Sequence, residues 1–135
     1  MGSEMCIRDS SCTASFTQMA AIEALNGPQN SSYEMVAEFK KRRDVIVTGL
    51  NNIPGIRCAM PRGAFYAFPN IEDTGMTSQQ FSEDLLTEGG VATLDGGSFG
   101  VYGNGHIRLS FANSVDNIEK ALDRIESFVR KIRLA

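Results

Sequence analysis

The run Gly103-Asn104-Gly105-His106-Ile107-Arg108-Leu109-Ser110-Phe111-Ala112-Asn113 holds the chemistry worth following in this chain. A glycine-rich loop feeds a short stretch with one arginine among apolar neighbours. Strand alternation puts Ile107, Leu109 and Phe111 on one face and Arg108, Ser110 and Ala112 on the other. A guanidinium planted mid-strand beside small residues has five donors in fork geometry, which suits a carboxylate or a phosphate. Residue types and spacing leave a second reading open, in which Arg108 pairs with a structural Asp or Glu at the sheet surface.

Other chemistries find less support. The loop Gly96-Gly97-Ser98-Phe99-Gly100-Val101-Tyr102-Gly103-Asn104-Gly105 is glycine-rich but leads into a strand, whereas a phosphate cradle needs a helix N-terminus after it. Its glycines read as turn formers and points of close backbone approach. The single histidine, His106, is the only imidazole available as base to Ser98, Ser110 or a cysteine, and it reads as a packing or surface residue. Cys6, Cys12 and Cys58 are odd in number and show no C-x-x-C spacing, which argues against a disulfide framework and against zinc. No metal site, catalytic base or nucleophile is expected within the chain.

The elements that must position Arg108 follow from periodicity. Ser15 with Gln18 resembles a capping box, opening an apolar helix that Asn26-Gly27-Pro28 stops. After a polar linker, Gln29 to Ser32, a long helix is expected from Tyr33 to Leu50. Its stripe is Val36, Phe39, Arg43, Ile46 and Leu50, with Glu38–Arg42 and Lys40–Asp44 as i,i+4 pairs. Asn51 to Gly55 reads as a turn, and strands are expected at Ile56–Met60, Ala64–Phe68 and Val91–Leu94. Thr77 with Gln80 caps a helix whose stripe is Phe81, Leu85 and Leu86, ended by Gly89-Gly90. Ser114 caps the last helix, with Ile118, Ala121, Leu122, Ile125, Phe128, Val129 and Ile132 along one face. The order predicts an α/β chain with a small sheet packed by helices, an α+β small domain.

Composition bounds the function. With 135 residues, 42% hydrophobic and 21% charged, the chain is of globular type. Its net charge of −3 gives no general attraction to nucleic acid or an anionic membrane, and the basic run Lys40–Arg43 reads as a solvated helix face. No apolar run approaches the ~20 residues of a membrane span. The cysteine usage fits a cytoplasmic location. The opening residues MGSEMCIRDS lack periodicity and a signal-peptide core, and read as foreign or disordered sequence over 1–12.

Taken in order, several motifs resemble one family. They are Ser15-Phe16-Thr17-Gln18 with Ala20-Ala21 and Ala24-Leu25, then Met35, Phe39, Arg42-Arg43-Asp44 and Leu50. Ile53-Pro54-Gly55, Pro61-Arg62-Gly63-Ala64-Phe65-Tyr66 and Leu85-Leu86 follow. Val91-Ala92, Phe99-Gly100 and Gly105-His106-Ile107-Arg108-Leu109-Ser110 complete the series. From Ser11 to Arg133 the chain resembles the C-terminal part of the class I/II pyridoxal-phosphate (PLP) aminotransferases, of the aspartate aminotransferase type.

The resemblance implies a fold-type-I, dimeric, two-domain enzyme moving an amino group between an amino acid and a 2-oxo acid. Residues 13–30 would be a remnant of the large-domain helix and linker, and residues 31–135 the C-terminal small domain. By position Arg108 matches the family's α-carboxylate arginine, and Phe65 a position near the substrate pocket. The cofactor-anchoring lysine and the other PLP contacts of the family lie upstream of this sequence, so the isolated chain is expected to be inactive. Asp95 departs from the family pattern, where many relatives carry proline. A decarboxylase or lyase on the same scaffold would share the arginine. A free-standing carboxylate-binding or interaction module without catalysis is the alternative.

Overall fold

The computed structural model describes residues 13–134, so expectations for 1–12, including Cys6 and Cys12, lie outside the described residues. The chain divides into two compact units, one ending at Met35 and one beginning at Val36.

The first unit contains α1 (Ser15–Asn26) and the start of α2 (Asn30–Asn52). The expected capping box at Ser15 does not form. Ala14 occupies the cap position and has no side chain to accept with, while Gln18 Nε2 donates to the Thr13 carbonyl at 2.7 Å. Phe16, Met19, Ile22 and Leu25 are all exposed. The Gln29–Ser32 linker is shorter than expected, because the Gln29 carbonyl already accepts from Tyr33 N–H at 3.1 Å and α2 begins at Asn30.

In the second unit α2 buries Ile46, Val47 and Leu50, with Phe39 and Val45 half-buried. The expected Val36 lies outside this stripe and is 50% exposed. Glu38–Arg42 forms at 2.9 Å, but Asp44 pairs with its neighbour Arg43 at 2.7 Å rather than with Lys40. A guanidinium already half-buried on the helix flank reaches Asp44 with two nitrogens, which the single ammonium of an exposed lysine cannot match.

Ile56–Met60 is not a strand beyond one bridge, Arg57 to Asn70. Asn51 supplies the reason. Its amide donates to the Cys58 carbonyl at 2.9 Å and accepts the Cys58 N–H at 2.8 Å, satisfying both backbone groups without a neighbouring strand.

The sheet has three short antiparallel strands, β1 (Tyr66–Ala67), β2 (Leu94–Asp95) and β3 (Ile107–Ser110), in the order β1-β3-β2. The third expected strand starts late, and at its start the Val91 N–H is spent on the Leu85 carbonyl rather than on a neighbouring strand. Between β1 and β2 lies α3 (Ser78–Asp84), with Thr77 accepting the Gln80 N–H as its cap. A π-helical turn, Leu85–Gly89, follows and ends at Gly90 in the left-handed region (φ +64°). That wider turn swings Leu86 out of the expected stripe, leaving it 54% exposed, while Phe81 and Leu85 are fully buried.

Helix α4 (Val115–Arg133) is capped by Ser114, whose hydroxyl accepts the Asn117 N–H. Ile118, Ile125, Phe128 and Val129 are buried on its inner face, with Phe128 edge-on to Phe81 at 5.3 Å. The core gathers Leu50, Ile71, Phe81, Leu85, Ile107, Phe111, Ile125 and Val129, so the apolar face of β3 is covered by helices. Its other face carries Arg108.

Candidate functional site

The alternation expected on β3 is observed. Ile107 and Leu109 are buried, Arg108 is half-buried and Ser110 exposed. As the central strand, β3 places neighbours on both sides of the arginine. Leu94 pairs directly opposite Arg108 on the β2 side. On the β1 side Tyr66 pairs with Ser110 and Ala67 with Leu109, and the same register recurs where Asn70 bridges His106. Continuing that register puts Phe68 opposite Arg108 and Tyr66 one diagonal step away, on the same face.

The guanidinium carbon of Arg108 lies 4.4 Å from the centre of the Tyr66 ring and 4.4 Å from the centre of the Phe99 ring. Tyr66 belongs to the strand on one side of β3, and Phe99 to the turn after the strand on its other side, so the two rings come to Arg108 from elements on either side of its strand. Among the described residues, no Asp or Glu is ion-paired with Arg108. Among the described residues, therefore, the structural ion pair is not formed.

Each ring has its own support. Tyr66 packs on Phe65 (4.5 Å between centres), and Phe65 on Phe39 of α2 (6.2 Å). Phe99 stands edge-on to Phe68 at 6.3 Å, and Phe68 stacks on the His106 imidazole at 5.3 Å and 9°. The turn that carries Phe99, a 3-10 segment Gly96–Phe99, is capped by Asp95, which accepts the Gly97 N–H at 3.1 Å. The Ser78 hydroxyl holds the Asp95 carboxyl below its usual pKa; burial opposes it in part, and the Gly97 and Ser98 N–H groups add to the lowering. A second 3-10 turn, Val101–Gly103, folds back so that the Gly96 and Gly103 backbones touch, with room for a Cβ on neither. This close approach, together with positive φ at Gly100 and Gly105, is what the loop glycines supply.

Over residues 5–125 the sequence matches the family described as aminotransferase class I and II. The chain belongs to this family. Aspartate aminotransferase of Pyrococcus horikoshii is 45% identical over 115 residues, covering 84% of this chain and 29% of the relative. The solved alanine aminotransferase of Pyrococcus furiosus superposes with a TM-score of 0.84 at 39% identity, covering 89% of this chain and 31% of that one. A PLP-bound aminotransferase structure from Clostridium difficile 630, at 21% identity and a TM-score of 0.78, shares the fold. The chain thus spans about 30% of the length of the relatives it matches, and its mixed α/β architecture is that of fold-type-I aminotransferases.

The other polar residues of this class I/II aminotransferase chain fall away from reactive arrangements. His106 is half-buried and points Nδ1 at the Asn104 carbonyl, 3.0 Å away. Facing a carbonyl, that nitrogen must carry the proton. Burial pushes the Cys58 thiol pKa up, and a weaker opposing contact from the Phe68 backbone N–H does not reverse it, so Cys58 is a packing residue. Lys40, Lys41, Lys120 and Lys131 are all exposed on α2 and α4, and Lys131 pairs with Glu88 at 2.5 Å. Among the described residues no cluster of His, Cys, Asp and Glu could hold a metal.

Clefts of about 300, 390 and 210 Å³ open along α4, and Arg108 lines none of the three. Sequence reasoning singled out Arg108 and Phe65 but missed Tyr66 and Phe99, which touch the guanidinium directly. Phe65 reaches it only through Tyr66. The signal for Tyr66 was its parity with Ser110 across a register that only the pairing reveals.

Proposed function

We propose that this chain supplies the substrate-carboxylate grip of a PLP-dependent aminotransferase, with Arg108 as the residue that binds the α-carboxylate of amino acid and 2-oxo acid alike. The observation that carries this is an arginine held between two aromatic rings, unpaired with any Asp or Glu of the described residues. The resemblance gives the same position the same role. A carboxylate meeting this guanidinium forms charge-assisted bonds along the N–H edge, which fixes the rest of the substrate relative to the sheet.

PLP in the complete enzyme supplies the electron sink for amino transfer. The residues described here do not fit it. All four lysines are exposed helix residues, so no amine is placed to anchor the cofactor, and that anchorage falls to parts of the enzyme outside this chain. By itself the chain binds but does not transfer. Phe65 serves the same site from behind Tyr66, and the complete enzyme works as a cytoplasmic homodimer.

The test is Arg108→Ala in the complete enzyme, read as kcat/KM for several amino acids of different side chain. Losing a charge-assisted carboxylate contact costs about 2–5 kcal/mol, a fall of about 30-fold to several thousand-fold, and shared by every substrate. Unchanged kinetics, or a loss confined to one side-chain class, would refute the assignment.

A further inference from the structure

We propose that Tyr66 and Phe99 are positioning residues that clamp the Arg108 guanidinium between them and make it an edge-on receptor for a planar carboxylate. The inference rests on the carboxylate reading of Arg108 and adds how the arginine is aimed. A free arginine side chain samples many rotamers and must give up that freedom when it grips a ligand. Here both flanks are taken by rings with centres 4.4 Å from the guanidinium carbon, within the range of a cation–π contact. With its faces covered, the guanidinium offers a ligand only its in-plane N–H edge, the direction from which a carboxylate accepts two parallel bonds.

The clamp differs on its two sides. Tyr66 belongs to β1 and is backed by Phe65 and, behind it, Phe39 of α2. Phe99 sits on a turn and is 52% exposed, steadied by Phe68, the stacked His106 and the Asp95 cap below it. The strand side is therefore the fixed plate and the loop side the adjustable one. The Tyr66 hydroxyl makes no hydrogen bond among the described residues, so the ring rather than the hydroxyl does the positioning. Tyr66→Phe should consequently preserve the clamp, while leucine at either position should not.

The 135-residue chain is compared with Tyr66→Phe, Tyr66→Leu, Phe99→Leu and Arg108→Lys by ¹H–¹⁵N spectra of the arginine Nε–Hε groups, and by titration with propionate. Arg108, assigned by its loss in Arg108→Lys, should resonate upfield of the other arginines because of the two ring currents. Leucine at 66 or at 99 should move it back toward them and weaken propionate binding about two- to fivefold each. Phenylalanine at 66 should change neither. An Arg108 signal that coincides with exposed arginines, or leucine variants that leave shift and affinity unaltered, would overturn the clamp. Propionate binding that survives Arg108→Lys would instead overturn the carboxylate reading, and the Nε–Hε shift would still decide for or against the clamp.

Discussion

Replacing Gly103 with alanine should damage the site more than alanine at Gly97 or Gly100. A Cβ at Gly103 falls on the backbone carbonyl of Gly96, and one at Gly96 on that of Gly103. Backbone cannot rotate aside as a flexible side chain can, so the two 3-10 turns must separate. Overpacking of this kind costs about 1–3 kcal/mol. Separation also strains the Gly96 N–H bond to the His106 carbonyl, 2.9 Å in the native chain, worth about 1 kcal/mol. The sum is about 2–4 kcal/mol, against a total stability of about 5–15 kcal/mol for an ordinary domain.

Two neighbours separate the causes. Gly100 stands at φ +115° and ψ 172°, a conformation open essentially to glycine alone, but a Cβ there meets nothing. Gly100→Ala should lose about 1–3 kcal/mol through backbone strain only. At Gly97 the nearest atoms are side-chain oxygens of Asn104 and Asp95, each 2.9 Å away; they are side-chain rather than backbone atoms, although Asp95 is also the cap of this turn, so Gly97→Ala should cost less than Gly103→Ala. Urea unfolding midpoints give the order, and the Arg108 Nε–Hε shift reports whether Phe99 has left the guanidinium. An unaltered midpoint for Gly103→Ala would refute the close approach of the two turns.

Asp95 should give the loop an acid-sensitive stability. Its folded pKa lies below its unfolded value, so its contribution is present above about pH 4 and is lost as pH falls through the folded pKa; Asp95→Asn should flatten the urea midpoint across that window. Asn51→Ala should cost about 2 kcal/mol in urea unfolding by leaving the Cys58 N–H and carbonyl without partners, and Asn51→Asp less, since it keeps the acceptor. Ala64 sits at φ +56°, where a Cβ costs about 1–2 kcal/mol, so Ala64→Gly should raise the Tm slightly and Ala64→Val lower it.

What could be read from the chain beforehand was local. The alternation along Ile107–Phe111, the hydroxyl caps at Thr77 and Ser114, and the Gly90 stop each depend on a few adjacent residues, and each is observed. Readings failed where the deciding partner was distant or of another kind. Ile56–Met60 looks like a strand until the Asn51 amide is seen to take its hydrogen bonds. Val91–Thr93 looks like one until the Leu85 carbonyl is seen to take the Val91 N–H. Leu86 has the spacing of a core residue in an α-helix, and only the π turn shows why it is exposed. At the site, Arg108 was legible because a lone charge in an apolar strand stands out. Tyr66 and Phe99 were not, because aromatic residues in a strand and a loop are ordinary until strand register brings them to one guanidinium.

That same register bears on whether Arg108 serves binding or structure. An arginine kept for structure in a sheet would be matched by a carboxylate, and a substrate would then have to displace that partner before gaining anything. The exchange of one ion pair for another returns little net energy. Rings impose no such exchange. In the proposed clamp they would flank the guanidinium, limit its motion and leave its hydrogen-bonding edge free. The arrangement thus holds the charge ready at modest cost, since a half-buried guanidinium keeps part of its hydration until a carboxylate replaces it. An ion-paired arginine would be explained by this chain alone. On the proposed reading, an arginine flanked by two rings and unpaired among the described residues is kept for a carboxylate ligand.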